Sequence, residues 1–116
     1  REVTLALTHA HLVHVCGLTY LLPPLHDGRI EKLRVLADAG VLEALRSHLF
    51  APALFPVVPP AEFEPLLEDR PVTVAPGVQL AHRRLPGHPG GSRAFRVDWH
   101  SSGEPRSDPG ERSALR

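Results

Sequence analysis

Methionine is absent and cysteine occurs once in this chain of 116 residues. With Cys16 alone, no internal disulfide can form. That removes the disulfide-stapled secreted scaffolds and makes a reducing compartment, the cytosol, the expected setting. The chain opens at Arg1 without an initiator, which implies a missing or processed beginning. Net charge is absent as well: Lys and Arg number 13, and so do Asp and Glu. General attraction to nucleic acid or to an anionic membrane is not expected, although a balanced total is compatible with a local basic patch. No apolar run approaches the ~20 residues that span a bilayer. No basic stretch followed by an apolar core and a small-residue cleavage site opens the chain. The expectation is a soluble, cytoplasmic protein with no membrane partner.

What the chain does have is 8 His and 13 Pro. Histidine is the commonest protein ligand for zinc, so so many in one small domain invite a search for metal spacing. Proline argues for turns and against long helices. The length suits one small domain with a modest core.

Glu2 to Leu7 alternates like a strand, with Val3, Leu5 and Leu7 on one face. Val15 to Leu22 has helix-like apolar spacing, and Pro23-Pro24 is expected to stop it. Leu25 to Gly28 reads as a turn and Lys32 to Ala37 as a strand. Asp38 suits the N-cap of a helix running to about Phe50, with Leu42, Leu45 and Leu49 on one face. Prolines 52, 56, 59 and 60 make an irregular connection in which Val57-Val58 suits a short strand. Val72 to Val74, Val78 to His82 and Ala94 to Trp99 read as strands, the first two around a turn at Pro76-Gly77. From Ser101 the chain is polar and is expected to be a disordered tail. The organisation expected is an α/β domain over 1–100, with a mixed sheet, and a tail over 101–116.

His9 and His11 stand two apart at the end of the first predicted strand, where i and i+2 share a face. Two imidazoles on one side can chelate one ion. His14 follows at the predicted start of a helix, whose dipole disfavours imidazolium, and neutral imidazole is the metal-binding form. On spacing alone, a His-x-His pair is also what chance yields in so His-rich a chain. His26, His48 and His82 read as surface or satisfied histidines, Cys16, Phe95 and Trp99 as core, and Arg83-Arg84 as solvated.

Thr8-His9-Ala10-His11-Leu12-Val13-His14, followed by Gly17-Leu18, resembles the His-x-His-x-Asp-His signature and following helix of the metallo-β-lactamase superfamily. His88-Pro89-Gly90-Gly91-Ser92, followed by Phe95-Arg96-Val97, is similar to a later loop and strand of that superfamily. Val35 to Phe50 and Phe55-Pro56-Val57 resemble the connecting region of its tRNase Z-like and class II cyclic-nucleotide phosphodiesterase branch. The resemblance spans about Val3 to Trp99. It implies a partial αββα layered fold, incomplete at both ends. It also implies His9, His11 and His88 as ligands of one zinc ion, and His14 as a ligand of a second metal. Val13 stands where the family has an aspartate, so the second ion loses an anionic ligand. A bridging aspartate and a last histidine have no counterparts here, and Asp98, Asp108 and His100 lie outside the family's context.

The function implied is metal-dependent hydrolysis, directed at a phosphodiester or another small substrate and impaired in this chain. Zinc is favoured by imidazole ligands. Two other readings stay open: a non-catalytic metal-binding remnant, and an interaction module that self-associates through exposed strand edges and apolar surface.

Overall fold

Strand β1, Glu2–Ala6, pairs in parallel with β2, Lys32–Ala37, from Glu2↔Lys32 to Ala6↔Leu36. The computed structural model describes residues 1–55 and 60–100, so Val57-Val58 and the 101–116 tail lie outside the described residues. Parallel neighbours need a crossover, and the chain between β1 and β2 supplies one built of helical turns. Those turns are α1 (Leu12–Val15), a 3-10 helix (Cys16–Leu21) and α2 (Leu22–His26). The single helix ending at Pro23-Pro24 is thereby corrected. The two prolines lie in the first turn of α2, where their missing N–H groups cost no helical bond.

The second crossover is α3 (Ala39–Ala44), which continues into a π-helical turn, Leu45–Leu49. The Phe50 amide donates to the Leu45 carbonyl at 2.8 Å, the wider spacing of that turn. Asp38 is the N-cap residue, as its place after β2 suggested. The crossover delivers β3, Glu62–Pro65, in parallel beside β2, giving the order β1-β2-β3.

The core of this first unit, Arg1–Leu66, gathers on β2 and the crossover helices. Leu33, Val35, Leu36, Leu42 and Leu45 are fully buried. Each contributes about 1.5–3 kcal/mol by leaving water. β2 lies in the middle of the sheet; Lys32 and Arg34 alternate with Leu33 and Val35 in its first half, and Val35-Leu36-Ala37 is buried without a break. Arg34, on its more open face, donates to Glu64 across the β2–β3 pair. That hydrogen bond, more than the surrounding carboxylates, raises the guanidinium pKa further above its ordinary value.

The second unit begins at Leu67. It holds an antiparallel sheet of β4 (Val72–Ala75), β5 (Val78–Leu85) and β6 (Ser92–Trp99), in that order. Pairing in the β5–β6 hairpin runs from Val78↔Trp99 to Leu85↔Ser92. Leu80, His82, Arg93 and Phe95 are buried on one face. Trp99 and Cys16, expected in the core, are exposed. Among the described residues no helix is long and apolar enough to cross a membrane.

Candidate metal centre

The segment carrying His9 and His11 leaves the C-terminal end of β1, where open parallel sheets commonly hold their ligands. β1 itself stops at Ala6, so the two histidines stand on the irregular stretch beyond the strand rather than on its pleat. The Leu7 amide still bonds the Leu36 carbonyl at 2.9 Å, which anchors that stretch to the sheet. His11 is the extended N-cap of α1, and the His14 amide donates to its carbonyl at 2.8 Å. This turn folds His14 back toward the other two rings.

The result is a three-ring cluster. The His9 ring lies 4.7 Å from that of His11 and 4.6 Å from that of His14, edge to face in both cases. The His11 and His14 rings are 6.5 Å apart. His9 and His11 each have a ring nitrogen within 4.8 Å of the other's. Two nitrogens on one tetrahedral zinc lie roughly 3.4 Å apart, so small side-chain rotations close the gap. His9 Nδ1 and the Thr8 hydroxyl are 2.8 Å apart, a contact that fixes the ring's orientation. His11 and His14 are exposed, while His9 is half-buried. Because α1 is only four residues long, it has little of the dipole argued for His14. The ring contact with His9 places that side chain instead.

Val13 points to solvent, 79% exposed, beside Leu12 at 66%. A carboxylate at Val13 would meet no packing obstacle, and the valine offers no lone pair to an ion.

His88 belongs to the second unit, in the turn between β5 and β6. The Gly91 amide closes that turn onto the His88 carbonyl at 2.7 Å. His88 Nδ1 lies 3.0 Å from the Pro89 carbonyl oxygen. A carbonyl only accepts, so this contact suits a ring protonated at Nδ1, the arrangement that leaves Nε2 for a metal in a neutral imidazole. A donor set of imidazoles fits zinc.

Beside the histidine segment, an apolar pocket of about 360 Å³ opens between Leu12, Val15, Leu45, Leu49 and Leu54, with His48 in its wall. Its walls come from chain stretches far apart, so no local sequence signal announces it. The buried pair His82 and Arg93, 2.8 Å apart, has no local sequence signal either. The β5–β6 register sets both residues on one hairpin face.

No protein-family model and no curated protein sequence matches this chain. Solved structures do. Zn2+-bound PqqB from Methylobacterium extorquens matches over 83% of this chain and 30% of its own, with a TM-score of 0.60 and 14% identity. The metallo-β-lactamase fold protein YhfI from Bacillus subtilis matches over 81% of this chain and 35% of its own, with a TM-score of 0.56 and 18% identity. The α/β architecture is therefore that of part of a metallo-β-lactamase fold. The chain spans about a third of the length of these neighbours.

Proposed function

We propose that this chain is the metal-binding part of a metal-dependent hydrolase of the metallo-β-lactamase superfamily, with impaired activity toward phosphodiesters. His9, His11 and His88 would hold one zinc ion, and His14 would face a second position that lacks a carboxylate because residue 13 is valine. The observation that carries the reading is the clustering of the His9, His11 and His14 rings just beyond the parallel strand β1. The contact of His88 Nδ1 with the Pro89 carbonyl suits it, and the likeness in fold to a Zn2+-bound protein supports it.

A zinc ion held there would supply a Lewis acid and lower the pKa of its water toward ~7. The protein's own part is to present imidazoles and orient them, through Thr8 for His9 and Pro89 for His88. The tRNase Z-like and phosphodiesterase branch is the branch proposed, on the resemblance of the segment after β2. The cytosol is the proposed compartment, in keeping with a single exposed thiol.

The test is metal content of the purified chain beside a His9→Ala/His11→Ala double variant. The expected result is about one zinc per chain, the three-imidazole stoichiometry, lost in the variant. A folded chain without bound metal would overturn the reading. It would favour a non-catalytic interaction module, which the exposed Leu12 and Val13 also suit.

A further inference from the structure

We propose that Arg84 is an anion-binding residue, set to receive a phosphate group beside the turn that carries His88. The proposal deepens the hydrolase reading by giving its substrate a charge, and only its link to catalysis rests on that reading.

The β5–β6 register sets Arg84 directly across from Arg93. Directly paired residues of an antiparallel hairpin share a face, and like charges so placed repel. Arg93 is turned inward, where it donates to the Glu68 carbonyl and to His82, with Asp69 at 3.8 Å. Arg96, on the other face, is held by Asp98 at 2.9 Å. Arg84 has no such partner: among the described residues no carboxylate lies within ion-pair distance of it. It is exposed, so its guanidinium is available at the turn end of the hairpin.

The position of that guanidinium is not arbitrary. A Cβ built on Gly91 would lie 3.5 Å from Arg84 Nη2 and 3.9 Å from Nε. The side chain is thus laid along the turn that the Gly91 amide closes onto His88. Gly91 takes a left-handed φ of 84° that an L side chain would strain to adopt, so the turn beside the arginine calls for glycine. The planar fork of a guanidinium matches two phosphate oxygens.

The experiment is calorimetric titration of inorganic phosphate into the full chain, both metal-free and with equimolar Zn2+. Arg84→Ala should weaken phosphate binding about 10-fold, the loss expected of one charge-assisted hydrogen-bonding group. Arg84→Lys keeps the charge without the fork and should fall between. Arg83→Ala, on the opposite face, should bind as the parent does. Acetate, with one negative charge and fewer acceptors, should bind more weakly than phosphate. Undetectable phosphate binding by the parent chain overturns the proposal. So does an unchanged affinity in Arg84→Ala, or an equal loss in Arg83→Ala. If zinc does not bind but the metal-free chain still loses phosphate affinity in Arg84→Ala, the metal reading falls and the arginine's role stands.

Discussion

Arg93 is 5% exposed and His82 6%, and a buried guanidinium is tolerable only when its protons have acceptors. Arg93 Nη1 lies 2.8 Å from both the Glu68 carbonyl and His82 Nδ1. Because a guanidinium only donates, His82 Nδ1 accepts and Nε2 carries the hydrogen. That hydrogen goes to the Arg70 carbonyl at 2.5 Å. The two side chains thus pin the backbone at Glu68 and Arg70 to the β5–β6 hairpin. Arg93→Ala should cost about 3 kcal/mol, because it leaves a buried imidazole nitrogen and a carbonyl without their donor. Arg93→Lys should recover little, since one ammonium cannot reproduce the fork. Urea unfolding checks this, and a loss below about 0.5 kcal/mol for the alanine variant would show the network to be incidental.

Val13 gives a second prediction at the same scale. At 79% exposure, Val13→Asp should change stability by no more than about 0.5 kcal/mol. It should not restore hydrolysis either. Aspartate and His14 together offer two ligands, too few to hold a second ion in the usual tetrahedral shell. Vigorous phosphodiester cleavage by that single variant would show that the missing ligand was the only defect.

Among the elements, β2 and its crossovers carry most of the first unit's stability. Leu42 on α3 is 1% exposed, and Leu42→Ala should cost about 2–5 kcal/mol by leaving a cavity under the sheet. The Arg34–Glu64 bond joins β2 to β3, and its pH dependence follows from the sign of the shift. Arg34's pKa is raised in the fold, chiefly by its hydrogen bond to Glu64. Its stabilisation is therefore complete below the unfolded pKa and lost only as pH rises through the folded one. The stability difference between the parent and Arg34→Ala, about 1 kcal/mol, should change little on the arginine's account between roughly pH 6 and 9. Which elements could be read in advance follows from the same physics. β2 was legible over Lys32–Ala37 because Leu33 and Val35 alternate with charged residues and lead into the apolar Val35-Leu36-Ala37. β3 was not, because Glu62-Phe63-Glu64-Pro65 offers one apolar side chain and ends on proline, and only the parallel pairing with β2 makes it a strand. The segmented crossover was equally hidden. Leu18, Leu21 and Leu22 have spacings that a 3-10 turn and an α-turn both satisfy. The histidine pair was legible from its spacing, but what gathers His14 with it is the turn at His11, a local fold that no periodicity encodes.

At the scale of the whole molecule, exposed apolar surface is the dominant feature of the first unit. Leu12 and Leu54, each 66% exposed, both border the apolar pocket, and Val13 adjoins Leu12. β1 is an edge strand, paired only with β2 among the described residues. Exposed apolar surface and an unpaired edge each favour association, the first by removing hydrocarbon from water and the second by satisfying open backbone groups. The chain is therefore expected to self-associate, with an apparent mass in sedimentation that rises with concentration. Leu12→Ser combined with Leu54→Ser should lower that association, while unfolding shifts by less than about 1 kcal/mol because neither side chain is buried. Zinc should leave the association unchanged if the apolar surface drives it. If instead it disappears on chelation, the histidines bridge two chains through a shared ion, and the metal is then a link between molecules rather than the centre of one.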